Sequence, residues 1–238
     1  MNILIFGATS GIGRELAKQY VEKGNKLTIT GRRQEKLDEI EAENPTKYFT
    51  IRHNIRETDL IPDLIKKADE QMGGIDLIIV NAGIGKFNKE LDWEICESVI
   101  KTNVIGVTRA LTESFRYFYK QKKGHLVNVS SVASLMGNGL NPTYNSSKAY
   151  QANFVEGLWM KAKKSKKTKI NVTDIRPGFV DTKLAQGDTF WKADVQTAAK
   201  QIISAIKKKK RVAYITKRWC LVAWLLKWLP RPLLLKLF

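Results

Sequence analysis

A short apolar run at residues 3–6 passes directly into Gly7-Ala8-Thr9-Ser10-Gly11-Ile12-Gly13, and a helical pattern takes over from 12 to 23. Few folds place three glycines within seven residues between a strand and a helix. Glycine admits backbone conformations and close approaches that a Cβ forbids, so this spacing predicts a tight turn with backbone packed on backbone. The alternation then repeats. Residues 27–30 read as a second strand, 33–43 as a charged helix, 49–52 as a third strand and 60–71 as another helix. Residues 75–80, 126–129 and 170–175 are continuous apolar runs of the buried parallel type, with long helical patterns before the last two.

Strands alternating with helices of this length form βαβ units, which require a parallel sheet with helices on both faces. The chain has 238 residues, no Pro/Gly/Ser-rich linker and no internal repeat. The expected fold is therefore α/β, a single doubly wound Rossmann-type domain over 1–210, followed by a C-terminal apolar and basic tail over 211–238. Cys96 and Cys220 show neither CxxC nor Cys/His spacing. They read as free thiols in a reducing compartment, with no disulfide framework and no metal site. Because the N-terminus enters a strand at once, a signal peptide is not expected, and the protein reads as cytoplasmic.

The glycine turn opens a βαβ unit, where it suits a dinucleotide. Its glycines let backbone approach a pyrophosphate, and the helix N-terminus supplies unpaired N–H groups. Gly7, Ser10, Gly11, Ile12 and Gly13 are the candidate contacts. After the second strand, Gly31 stands where an acid would bind the ribose 2′-hydroxyl of NAD, and Arg32 and Arg33 follow. Two guanidiniums without a carboxylate favour the 2′-phosphate of NADP(H); the plain alternative is that they only begin a solvated helix.

Tyr144 and Lys148 lie one helical turn apart, thirteen and seventeen residues after Ser131. A phenol and an ammonium at this spacing share a helix face. The cation is expected to favour phenolate and lower the tyrosine pKa, giving an acid/base for a carbonyl or an alcohol. Alone the pair is a weak signal; with the glycine turn and the serine it is a strong one.

Gly7-x3-Gly11-Ile12-Gly13, Asn81-Ala82-Gly83, Asn103, Ser131, Tyr144-x3-Lys148 and Pro177-Gly178 stand in an order that resembles the short-chain dehydrogenase/reductase family, over about residues 1–210. The resemblance implies Tyr144 as acid/base, with Lys148 lowering its pKa and holding the nicotinamide ribose. It further implies Ser131, rather than Ser130, polarising the substrate carbonyl, and Asn103 anchoring a water that links Lys148 to solvent. Asn81, Ala82 and Gly83 would line the adenosine side, while Pro177, Gly178, Val180 and Thr182 would cover the nicotinamide. Relatives carry Asp after the third strand; here Asn54 and then Ile55 take the adenine position. Phe6 also replaces a threonine before the first glycine. His53 and His125, in or beside strands, read as structural.

Net charge is +18, and from 207 to 238 there are ten Lys/Arg and no acid; six more lysines fall between 161 and 169. This balance predicts an anionic partner. Trp219, Trp224 and Trp228 lie in the tail, whose longest uncharged run is eight residues. A bilayer span takes about 20, so a helix over 217–229 is expected to lie in the interface. The other reading is that the tail closes a homo-oligomer or packs on its own core. Aromatics are not interleaved with the lysines of 161–169, which argues against nucleic acid. Phe190 and Trp191, in a short segment where relatives form a lid, either cover an apolar substrate or dock the loop.

These observations lead to an NADP(H)-dependent oxidoreductase acting on a small-molecule ketone or secondary alcohol, apolar or lipid-like. It is expected to be homo-oligomeric and peripheral on the inner face of a membrane through 207–238. The alternative is a non-enzymatic basic protein that binds membrane or nucleic acid and keeps NADP(H) as a structural or sensing ligand.

Overall fold

The computed structural model describes residues 1–182, 192–216 and 218–221. Seven parallel strands form one sheet: β1 (Asn2–Phe6), β2 (Lys26–Gly31), β3 (Tyr48–Arg52), β4 (Leu77–Val80), β5 (Lys123–Val129), β6 (Lys169–Pro177) and β7 (Val212–Ile215). Their order across the sheet is β3-β2-β1-β4-β5-β6-β7. The chain winds outward from β1 to β3, returns to the centre at β4 and then winds the other way. The switch lies between β1 and β4, and in such sheets ligands bind at the carboxyl ends of the strands beside that switch.

Side chains alternate across a strand, and β1 shows why both faces must be covered. Ile3 and Ile5 enter one core with Leu16, Ala17 and Ile202, beneath helices α1 (Gly11–Glu22), α2 (Gln34–Glu43) and α7 (Val195–Lys207). Leu4 and Phe6 enter the other with Leu64, Leu111 and Val155, beneath α3 (Ile61–Met72), α5 (Val107–Gln121) and α6 (Pro142–Lys164). Every strand residue from 3 to 6 is fully buried, which is what makes the run read as apolar.

Three features depart from the sequence reading. A continuous helical rod runs from α4 (Trp93–Val99) through a π-helical stretch (Ile100–Gly106) into α5; wide turns of this kind often mark functional sites. β5 begins at Lys123, three residues before its apolar run, because Lys123, Gly124 and His125 pair with Lys169, Ile170 and Asn171. Val212–Ile215, strand-like in sequence but placed in the tail, belongs to the sheet as its edge strand, paired parallel to β6 from Asp174↔Val212 to Pro177↔Ile215. The sheet thus extends past 210.

That last strand separates two parts of the tail. Lys210 and Arg211 precede β7 at the amino end of the sheet, where Lys210 accepts from the Thr173 hydroxyl. Trp219 lies past its carboxyl end, against Phe179, with ring centroids 5.3 Å apart. The described residues between 207 and 221 therefore do not form one surface. Residues 222–238, with Trp224 and Trp228, fall outside the described residues, as do Phe190 and Trp191. No helix among the described residues is long and apolar enough to cross a membrane.

Candidate active site

The glycine turn closes the switch. Gly7 has φ +83°, and a Cβ there would lie 2.7 Å from the Cα of Ala82. A Cβ on Gly13 would overlap the Gly7 carbonyl and stand 2.5 Å from Nδ2 of Asn81. That amide donates to the Gly7 carbonyl at 2.6 Å, so Asn81 ties the end of β4 to the turn. Ser10 caps α1 without a side-chain hydrogen bond, and the first turn of α1 carries no acid.

Along the rim, Arg33 donates through one guanidinium nitrogen to the Thr9 carbonyl (3.1 Å) and hydroxyl (2.9 Å). Arg32 is exposed beside it. Gly31 is buried directly under Thr9, whose methyl occupies the place a Cβ would take; that contact explains a glycine here. Asn54 turns the chain after β3: its Oδ1 accepts from the Arg56 N–H at 3.3 Å, and its carbonyl accepts from Glu57. Ile55 is buried against Gly106.

Ser131, Tyr144, Lys148 and Asn103 come together at the carboxyl ends of β4 and β5. Ser131 caps the short helical turn after β5, where its hydroxyl accepts from the Ala133 N–H at 3.1 Å and donates to the Pro177 carbonyl at 3.4 Å; it stands near enough to the Tyr144 phenol to lower its pKa. Ser130, one residue earlier, faces the other way: it is buried and donates to the Ile175 carbonyl at 3.2 Å. Strand alternation thus separates the two serines. The Tyr144 ring lies on Gly85, where a Cβ would be 3.0 Å from it.

Lys148 is 3% exposed, its Nζ donating to the Val129 carbonyl and to Oε1 of Gln151, each at 3.1 Å. That nitrogen sits 5.9 Å from the centre of the Tyr144 ring. Asn103, in the π-helical stretch and fully buried, donates to the Ile84 carbonyl (2.7 Å) and the Ser147 hydroxyl (3.0 Å) and accepts from the Ile84 N–H (2.9 Å).

Electrostatics here run against the sequence expectation. Desolvation pushes the Tyr144 phenol above its ordinary pKa, and the nearby Ser131 hydroxyl pulls it part of the way back. Burial draws Lys148 down to about 8, partly countered by the charge of Asp174. The lysine is spent on two acceptors behind the tyrosine rather than beside its oxygen, so burial outweighs the ion–phenol attraction. A phenol held protonated is poised to donate a proton.

Past the end of β6, Val180 is buried and bridges to Ala193, while Thr182 places its methyl 3.2 Å from where a Gly11 Cβ would stand. The β6 loop therefore closes over the glycine turn. Gly178 is pressed by the Trp219 indole, leaving no room for a Cβ. His53 and His125 lie elsewhere. His53 is buried edge-on to Phe6 at 6.4 Å, and His125 bonds the Thr173 hydroxyl at 2.8 Å, with burial drawing its pKa to about 4.

The sequence profile of the family described as short chain dehydrogenase matches residues 1–207. This protein belongs to the short-chain dehydrogenase family. Among relatives of the same kind, an oxidoreductase of Myxococcus xanthus is 33% identical over 192 residues, covering 79% of this chain and 75% of its own. The 3-oxoacyl-[acyl-carrier-protein] reductase FabG of Aquifex aeolicus is 32% identical, covering 75% of this chain and 73% of that one. The solved structure of ElxO with NADP bound superposes with a TM-score of 0.79 at 21% identity, covering 90% of this chain and 96% of that one. As a short-chain dehydrogenase the protein is an oxidoreductase, and its sheet has the fold of that family.

Two residues of this short-chain dehydrogenase escaped the sequence reading. Arg56 reaches from the turn after β3 to the helical rod, donating to the Thr102 hydroxyl (2.7 Å) and to the Ser98 carbonyl and hydroxyl (3.1 and 2.6 Å). It fixes the stretch that carries Asn103. Gln151, 1% exposed, lies between Lys148 and the Asn103 main chain. Its signal was a polar residue three positions after the lysine, on the helix face that must be buried.

Proposed function

We propose that this enzyme interconverts a ketone and a secondary alcohol with NADP(H), with Tyr144 as the acid/base. The observation that carries the reading is the convergence of Ser131, Tyr144 and the buried Lys148 at the carboxyl ends of β4 and β5, on the same end of the sheet as the glycine turn after β1. The residues present fit the dinucleotide: the cradle at Gly7 and Gly13 excludes any Cβ, and the start of α1 beside it has neither a side-chain cap nor an acid in its first turn.

Gly7 and the residues from Ser10 to Gly13 would hold the pyrophosphate, Arg32 and Arg33 the 2′-phosphate, Asn54, Ile55 and the Asn81-Ala82-Gly83 stretch the adenosine half. Lys148 would hold the nicotinamide ribose, under cover of Pro177, Gly178, Val180 and Thr182. When bound, NADPH supplies the hydride equivalent. Ser131 and Tyr144 aim two donors at the carbonyl oxygen, where charge develops. Tyr144 releases its proton to that oxygen, and the Lys148 ammonium stabilises the phenolate left behind.

A lipid-like substrate is supported by the relationship to a 3-oxoacyl reductase and by the aromatic residues of the tail. Turnover of long- and short-chain ketones with NADPH and with NADH tests both parts of the reading. Faster reduction of long chains with NADPH is expected, and equal rates on short soluble ketones would count against the substrate class. Fluorescence titration of Arg32→Ala should show NADPH affinity reduced roughly 10-fold or more, with NADH binding unchanged, since one charge-assisted hydrogen bond is lost. NADH preferred by the unaltered protein would overturn the cofactor assignment.

Peripheral binding to an anionic membrane is supported by thirteen exposed lysines: Lys120, Lys122 and Lys123, the six between 161 and 169, and four at 207–210. They lie in the last turns of α5, α6 and α7 or between those helices and the amino ends of β5, β6 and β7, and none is in an ion pair among the described residues. Each such charge adds about 1 kcal/mol at an anionic surface. Sedimentation with phosphatidylglycerol vesicles should show binding that high salt abolishes. Lysine-to-glutamate changes at 207–210 should weaken it, and binding that ignores both salt and these changes would sink the idea. Vesicle binding together with intact NADPH affinity but no turnover of any carbonyl would favour the non-enzymatic alternative. Ile105 and Tyr150, exposed on the π-helical stretch and α6, support a homo-oligomer; light scattering should give a mass of at least two chains, and a monomer would refute it.

A further inference from the structure

Lys148 is the most deeply buried cation of the site, and its surroundings raise a question the family resemblance does not address. A buried ammonium needs acceptors. Here one is the Val129 carbonyl at the end of β5, and the other is a side chain three residues along the same helix, Gln151. The amide of Gln151 is used at both ends: Oε1 accepts from Lys148 Nζ at 3.1 Å, and Nε2 donates to the Asn103 main-chain carbonyl at 2.7 Å. Lys148, Gln151 and Asn103 are respectively 3%, 1% and 0% exposed. Gln151 thus links the Lys148 ammonium to the main chain that carries Asn103.

An amide at this position has one orientation that satisfies both neighbours. Its oxygen must face the ammonium and its NH2 the carbonyl, because the reverse would set donor against donor and acceptor against acceptor. The π-helical stretch that carries Asn103 thereby dictates the orientation of the group that holds Lys148. The remaining charged or titratable groups bearing on Lys148 are Tyr144 on its own helix and Asp174 on β6, the latter paired with Arg176 at 2.6 Å. The π-helical stretch presents the neutral Asn103 to this region, and the β4 loop presents Gly83, whose Cβ would lie 3.3 Å from Nζ.

We propose that Gln151 is a positioning residue for the reaction, holding the Lys148 ammonium behind Tyr144 and so keeping the lysine charged at working pH. The proposal rests on the assignment of Tyr144 and Lys148 to the chemistry made above, but its first test does not depend on any substrate. A hydrogen bond to the charged form favours that form. Lys148 already titrates near 8, so a modest change in its acceptors moves its charge across the physiological range.

The test compares Gln151→Met with Gln151→Glu by following the 13Cε resonance of Lys148 against pH in protein without added cofactor. Methionine keeps the length and volume of the side chain but removes the acceptor, so the lysine should titrate about one to two pH units lower, as expected for one hydrogen bond to a charged group. Glutamate puts a carboxylate oxygen where Oε1 stood and should move the titration upward. Opposite displacements are what a merely space-filling role would not give; the same midpoint in both variants and the parent would overturn the proposal. Where Gln151→Met does not fold, the upward displacement in Gln151→Glu alone decides, and its absence refutes the role. Once a ketone is turned over, the fall of kcat/KM at high pH should follow the NMR midpoint in each variant. A rate limb that stays put while the lysine midpoint moves would leave Gln151 as the holder of Lys148 and refute its bearing on the reaction. The family reaction itself fails by a different sign, NADPH binding with no turnover in the parent protein, which leaves the NMR result standing.

Discussion

Tyr144→Phe is expected to lower kcat by about 10³-fold on any ketone the enzyme reduces, with NADPH affinity close to that of the parent. The change removes one oxygen and leaves the ring on Gly85, whose Cβ position is 3.0 Å from it, so packing is kept. What is lost is the proton donor, a contribution of 10²–10⁴ in general, together with one of two hydrogen bonds to the developing oxyanion. Ser131 remains and can still polarise the carbonyl, so a small residual rate should persist. Desolvation pushes the phenol above its ordinary pKa, which favours the protonated form that the proposed reductive step requires. Steady-state rates with a fluorescence titration of NADPH check the prediction. Turnover within tenfold of the parent would mean that another group supplies the proton.

Gly13→Ala should produce the second large effect, on binding and stability together. A methyl at this position overlaps the Gly7 carbonyl and lies 2.5 Å from the amide of Asn81, which itself bonds that carbonyl at 2.6 Å. These are backbone and hydrogen-bonded atoms, so they cannot swing aside as the end of a flexible side chain could. Overpacking of this kind costs about 1–3 kcal/mol, which for a chain of this size lowers Tm by roughly 2–4 °C per kcal/mol. The displaced turn no longer presents its N–H groups to a pyrophosphate, and NADPH affinity should drop about 100-fold. Gly137→Ala is the control: nothing lies within 4 Å of its Cβ position, so neither property should change. Parent-like NADPH binding in Gly13→Ala would show that the turn is not the anion cradle.

The elements legible in the sequence are those whose cause is local. The continuous apolar runs became β1, β4, β5 and β6 within a few residues, because a strand covered on both faces needs apolar side chains on both. The glycine turn was readable because Cβ exclusion acts over seven residues. Tyr144 and Lys148 were readable because one helical turn puts them on one face. Boundaries failed where the partner strand decides: Lys123 is polar and enters β5 only because Lys169 lies alongside it, and Val212–Ile215 becomes a strand of the sheet because β6 offers an edge.

What the sequence determined by itself is the class of fold and the identity of the groups at its carboxyl end: alternation, spacing and residue type carry both, and all three are short-range properties of the chain. The tertiary structure alone decided how those groups are charged and held. Gln151 reaches Asn103 across 48 positions and Arg56 reaches Ser98 across 42, while Trp219 closes on Gly178 from beyond the last strand. Desolvation follows from such contacts, since it depends on everything packed around a group and not on its neighbours in sequence. That is why a lysine expected to lower a tyrosine's pKa is instead lowered itself, to about 8.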